Sequence, residues 1–133
     1  MDTKIPVAIA ASYYDKEDIQ KFAKKLEDLN WHNISRWVFS NDDDNNRALY
    51  HQFADDDMRD IYDCKNFILF TKHYPTPDRN SRLVEMGMAL AYGKIVITIG
   101  PQETIYCYHK HVINYAAEDD FLAALATLKR DGY

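Results

Sequence analysis

Glu85 is the residue whose type and setting most invite chemistry. It falls one turn inside a largely apolar helix, with Leu83, Val84, Met86 and Met88 around it, so its carboxylate can face a ligand near the helix N-terminus. The helix dipole favours a first-turn glutamate by itself, so spacing leaves both readings open. Immediately before it stands Arg79-Asn80-Ser81-Arg82, a hydroxyl and two guanidinium groups at a helix start. That set suits a phosphate, or equally supplies an N-cap serine with two solvated arginines. Ser12, Tyr13 and Tyr14 close an apolar run; a tyrosine there can stack on a base, hydrogen-bond a carboxylate, or simply pack half-buried. Asp55-Asp56-Asp57 cannot converge on one ion, because successive helical residues point about 100° apart, yet one of the three can face a site. His109-x-His111 has no accompanying carboxylate or cysteine cluster, so no metal is expected there. The sequence carries no Walker phosphate loop, dinucleotide glycine fingerprint or serine-nucleophile elbow.

These residues need elements to position them, and hydrophobic patterning supplies the elements. Ile5 to Ala11 is an apolar run without helical period, the profile of a strand covered on both faces. Asp15 opens a helix whose stripe is Ile19, Phe22, Ala23, Leu26 and Leu29, with Asp18 in the capping-box position. His32 to Phe39 reads as a second strand, Asn41 to Asn46 as a polar loop, and about Arg47 to Asp63 as a second helix. Phe67 to Phe70 is the strongest buried strand, and Lys72 to Asn80, with Pro75 and Pro77, must be loop. Ser81 to Tyr92 is a helix that Gly93 is placed to stop. Ile95 to Ile99 and Val112 to Tyr115 follow as strands, and Glu118 to Arg130 as a closing helix. Strands alternating with helices predict an α/β fold with a parallel sheet, and five strands suit the order 2-1-3-4-5. Ligands of such sheets bind beyond the carboxyl ends of the strands, at the switch point. Here that point lies between Ser12-Tyr13-Tyr14 and the segment Thr71 to Arg82.

Composition sets the outer bounds. The 133 residues are 47% hydrophobic and 28% charged, the balance of a globular chain, and one domain over 1–133 is expected. Sixteen basic against 21 acidic residues give a formal charge of −5, which opposes binding to duplex nucleic acid while still allowing a local anion pocket. No apolar run reaches the roughly 18 to 20 residues that span a bilayer. The start, Met1-Asp2-Thr3-Lys4, lacks the flanks of a signal peptide. Cys64 and Cys107 match no metal or redox spacing and read as free thiols in a reducing compartment, so a cytoplasmic protein is expected.

Three segments together resemble the nucleoside 2-deoxyribosyltransferase-like family, which includes nucleoside 5′-monophosphate N-glycosidases. They are Asp57-Met58-Arg59-Asp60-Ile61, then Cys64 to Phe70, then Ser81-Arg82-Leu83-Val84-Glu85-Met86-Gly87-Met88-Ala89-Leu90-Ala91-Tyr92-Gly93-Lys94. The last is similar to the family's Arg-x-x-Glu-x-Gly-x-Ala-Leu-Ala-x-Gly-Lys helix. Ile34-Ser35-Arg36-Trp37 and Ile99-Gly100-Pro101 are similar to motifs of a bacterial and phage branch. The resemblance implies a flavodoxin-like three-layer sandwich and a site that cleaves the N-glycosidic bond of a nucleoside or nucleotide, with no cofactor and no metal. By analogy Glu85 matches the nucleophile, Asp57 the acid that manages the base, and Tyr13 the tyrosine beside the sugar. Ser81 matches a position used for a 5′-phosphate and Arg82 falls in the same pocket-facing turn, while Arg79, Ser12, Tyr14 and Gly87 are further candidate substrate-binding residues. The resemblance also implies a homodimer or higher homo-oligomer, to which Tyr106-Cys107-Tyr108 would add apolar surface.

Such chemistry needs these residue types. Breaking C1′–N builds positive charge on the sugar, which a carboxylate beneath C1′ stabilises or captures as an ester. The departing base gathers negative charge and needs a proton, a role for a protonated aspartate. One departure bears on the substrate. The deoxynucleoside transferases carry a further aspartate six residues before the glutamate, and Arg79 stands there, beside Asp78. A guanidinium in place of a carboxylate favours a phosphorylated substrate. Two alternatives remain open: a glycohydrolase of an NAD-type nucleotide, as in TIR-type domains, and a non-catalytic nucleotide-binding module. The Pro-Gly-Gly-x-Gly-Thr signature of lysine-decarboxylase-like phosphoribohydrolases is absent.

Overall fold

The computed structural model describes residues 3–41, 46–71 and 81–131. Five strands form one parallel sheet: β1 (Ile5–Ala10), β2 (Trp31–Asn33), β3 (Asn66–Phe70), β4 (Ile95–Ile99) and β5 (Val112–Tyr115), in the order β2-β1-β3-β4-β5. Four helices cover it: α1 (Lys16–Asp28), α2 (Tyr50–Asp63), α3 (Ser81–Ala91) and α4 (Glu118–Arg130). This is the flavodoxin-like three-layer arrangement, in the order expected from the alternation of elements.

Period-two side-chain direction divides the strands between two cores. Val7 and Ile9 of β1, with Ile68, Ile97 and Ile99, pack against Phe22 and Leu26 of α1 and Phe121 and Leu125 of α4. Ala8 and Ala10, with Phe67, Leu69 and Val96, pack against Ile61 of α2 and Met86 and Ala89 of α3. Small alanines on this second face of β1 leave room between α2 and α3, where the site forms. Two left-handed residues end helices as expected of C′ positions: Gly93 at φ 74° after α3, and Asn30 at φ 69° after α1.

The second strand is shorter than the sequence pattern suggests. Only Trp31–Asn33 pairs with β1, and Arg36–Val38 turns into a 3-10 helix. The expected strand from His32 to Phe39 is therefore corrected. The reason lies in hydrogen bonding across β1. Ile34 N–H still reaches the Val7 carbonyl at 2.9 Å, but the groups of Ile9 are met by side chains instead. Ser35 Oγ accepts from Ile9 N–H at 2.8 Å, and Trp37 Nε1 donates to the Ile9 carbonyl at 2.7 Å. These two side chains replace backbone partners that a longer β2 would have supplied.

The start of α1 differs as well. Asp15 sits at the N-cap position but makes no side-chain cap hydrogen bond, and a 3-10 turn at Tyr13–Asp15 precedes the helix. The capping side chain is Ser12, whose Oγ accepts from Tyr14 N–H at 3.3 Å. The region read as one helix from Arg47 is a 3-10 turn at Arg47–Leu49 followed by α2. Most of the expected polar loop from Asn41 to Asn46, and all of that from Lys72 to Asn80, lie outside the described residues.

Candidate active site

A small cleft open to solvent lies over the β1–β3 pair. It is lined by Ala8 and Ile9 of β1, Phe67 of β3, Asp57 and Ile61 of α2, Glu85 of α3, and Ser35 and Trp37 of the turn after β2. Glu85 and Asp57 meet here and share a side-chain hydrogen bond. The Glu85 carboxyl is pushed up from its ordinary 4.5 to about 8, first by burial, then by the negative charge of Asp57 and by that hydrogen bond. Two partly buried carboxyl groups in contact disfavour double ionisation, which favours a shared proton on the pair near neutral pH.

Local structure aims both groups at the cleft. Of the three consecutive aspartates, Asp55 lies beside His51 on the exposed side of α2 and Asp56 pairs with Arg36, leaving Asp57 on the inward face. The Arg36–Asp60 contact fixes α2 to the turn after β2. Arg36 N–H donates to Asp60 Oδ2 at 2.9 Å and its Nε to Oδ1 at 3.0 Å, while Nη1 reaches Asp56 at 2.8 Å. Asp60 is buried, and these charge-assisted bonds satisfy its carboxylate and hold the Arg36 guanidinium above its ordinary pKa. Ser35, Arg36 and Trp37 thus attach one turn to β1 and α2 at once. On the other side, buried Arg82 donates Nη1 to the Phe70 carbonyl at 3.1 Å, tying the first turn of α3 to the end of β3 one turn before Glu85.

Of the expected residues the structure brings Glu85 and Asp57 together in the cleft lining, and Ser12, Tyr13, Tyr14, Ser81, Arg82 and Gly87 stand outside that lining. Ser12 is buried at the end of β1 as a turn cap. Tyr13 is 44% and Tyr14 72% exposed, with the Lys16 ammonium 5.4 Å from the centre of the Tyr13 ring. Ser81 is exposed at the start of α3, Arg82 is engaged with β3, and a Cβ on Gly87 would meet nothing within 4 Å. Arg79 lies outside the described residues. Ser35 and Trp37 line the cleft without having been singled out as site residues. Their sequence signal was the Ile34 to Trp37 segment, which reads as strand.

Among the described residues no group of histidine, cysteine and carboxylate side chains is arranged to hold a metal ion. His109 and His111 face each other with ring centres 5.2 Å apart, and His109 Nδ1 accepts from His111 N–H at 3.0 Å. No helix in the described residues is long and apolar enough to cross a membrane.

The fold and the carboxyl pair define a flavodoxin-like α/β protein with an acidic cleft between α2 and α3. Solved structures share this fold. A CMP N-glycosidase from Clostridium botulinum, BcmB, superposes with a TM-score of 0.60 at 23% identity, over 91% of this chain and 98% of its own. A conserved protein from Enterococcus faecalis V583 superposes with a TM-score of 0.63 at 13% identity, over 93% of this chain and 98% of its own. No protein-family model matches the sequence, and neither does any curated protein.

Proposed function

We propose that this protein cleaves the N-glycosidic bond of a nucleoside 5′-monophosphate, with Glu85 as nucleophile and Asp57 as proton donor to the base. The observation that carries this reading is the hydrogen-bonded Glu85–Asp57 pair in the cleft between α2 and α3. The fold shared with a CMP N-glycosidase and the motif from Arg82 to Lys94 support it.

The pair needs one proton for the whole cycle. We place the resting proton on Glu85, whose carboxyl is pushed up to about 8 by burial and by Asp57. As positive charge develops at C1′, the ionised form of Glu85 is favoured, and the proton passes to Asp57 along their hydrogen bond. The C1′–N bond breaks with its electron pair leaving on the base, which takes the proton from Asp57. A Glu85 oxygen forms the ester to C1′. Water then attacks C1′, its oxygen stays on the sugar, one proton returns to Asp57, and Glu85 leaves as carboxylate. A second base in place of water would give transfer instead. Tyr13, Tyr14, Ser12 and Gly87 are assigned to the sugar side, and Ser81 with Arg79 to the 5′-phosphate at the start of α3. Arg82 acts there by holding that turn. The exposed Ile105, Tyr106 and Tyr108 support a homodimer, and the two free thiols support a reducing, cytoplasmic setting.

The test is incubation with a panel of ribo- and deoxyribonucleosides and their 5′-monophosphates, with chromatography for released base. Release from monophosphates but not from free nucleosides is expected. Silence across the panel would replace this reading with that of a non-catalytic binding module.

A further inference from the structure

We propose that Trp37 is the wall on which the heterocyclic base of the substrate stacks, making it a specificity-determining residue of the cleft. The inference rests on the functional reading above and adds where the base lies.

Three observations carry it. First, Trp37 is half-buried, with part of its surface against the Val7–Ile9 core and part lining the same cleft as Asp57 and Glu85. Second, its orientation is fixed. The indole N–H is held by the Ile9 carbonyl at 2.7 Å, so it is not available to a ligand. The flanking Ser35 and Arg36 bind β1 and α2, which removes the freedom of the turn itself. What such a ring offers an occupant is its π surface, prearranged at no further ordering cost.

Third, the rest of the lining narrows the occupant. Ala8, Ile9, Ile61 and Phe67 are apolar but at most 3% exposed, so what the lining offers an occupant is chiefly Trp37 and the two acids. A phosphate is repelled from that wall by the charge the pair retains. An occupant beside Trp37 is therefore best uncharged, with a face for the indole and a polar edge that reaches the proton donor Asp57. A nucleobase meets these demands, with its face on Trp37 and its edge toward Asp57.

The chain has two tryptophans, so Trp31→Phe leaves Trp37 as the sole indole reporter. Combined with Glu85→Gln to stop turnover, this protein is titrated with cytidine and adenosine 5′-monophosphates and with ribose 5-phosphate. Excitation is at the red edge of tryptophan absorption, where bases do not absorb. Saturable quenching by a monophosphate and none by ribose 5-phosphate is expected. In the active protein Trp37→Leu should raise KM for the monophosphate roughly five- to a hundredfold, the loss expected for one base–aromatic stack, with inhibition by ribose 5-phosphate unchanged. Trp37→Phe keeps a ring and should recover most of that loss. Cleavage of monophosphates without quenching, or equal weakening of monophosphate and ribose 5-phosphate by Trp37→Leu, overturns the stacking wall and leaves the function standing. If no monophosphate is bound or cleaved, the function and the wall fall together.

Discussion

Replacing Glu85 by glutamine should change how stability depends on pH, by an amount the site geometry sets. The Glu85 carboxyl is pushed up to about 8 in the folded protein and returns to its ordinary 4.5 when the chain unfolds. Between those values the folded state holds a proton that the unfolded state has lost. Its contribution to stability is therefore full below about pH 4.5, falls as pH rises, and levels off above about pH 8. The slope is roughly 1.4 kcal/mol per pH unit, so about 2 kcal/mol is lost between about pH 6 and 7.5. For a chain of this length that corresponds to roughly 6–10 °C in melting temperature. Glutamine does not titrate, so Glu85→Gln lacks this loss. Thermal melts of both proteins across that range give a difference curve in which the histidines and other shared groups cancel. The variant should gain on the wild type as pH rises. Parallel curves would mean that Glu85 is not protonated by its surroundings, and would refute the one-proton pair.

Asp57→Asn removes one cause of the Glu85 shift but not burial, the largest, so the pH slope should shrink without vanishing. Its kcat for base release should fall by about 10²–10⁴, the usual range for a positioned general acid, as read in steady-state assays. Arg36→Ala leaves the buried Asp60 carboxylate short of its partners and should cost about 1–3 kcal/mol in denaturant unfolding. Ser35→Ala strips the side-chain acceptor from the Ile9 N–H and should cost a similar 1–3 kcal/mol; an unchanged midpoint would show that β1 is not held there. Light scattering at micromolar concentration should give a dimer, and a monomer would remove the homodimer from this account.

Much of the fold is legible because strand and helix periods are strong where burial is complete. β4, β5 and α4 begin and end where the pattern of Ile95–Ile99, Val112–Tyr115 and Glu118–Arg130 says they should. The second strand is not legible, because Ile34, Trp37, Val38 and Phe39 have strand composition while the turn they form is dictated by partners far along the chain. Ser35 and Trp37 bond to Ile9, 26 and 28 residues away, and Arg36 to Asp60, 24 residues away. Local propensity carries no trace of such contacts. The same holds within the site. A motif points to Glu85 and Asp57, and the structure joins them, but the cleft walls at Ser35 and Trp37 arise from tertiary hydrogen bonds. Arg82 is a similar case: its guanidinium at a helix start donates to the Phe70 carbonyl, a partner its place in the sequence does not announce.

The central claim is that the Glu85–Asp57 pair breaks a glycosidic bond, and the most direct measurement is base release by Glu85→Gln beside wild type, on preparations whose melting curves show both folded. The amide keeps the size and hydrogen bonding of the side chain but supplies no negative charge to the transition state. With a monophosphate that the wild type cleaves, kcat should fall by at least about a thousandfold while KM changes little. Turnover by Glu85→Gln within a few-fold of wild type would contradict the account.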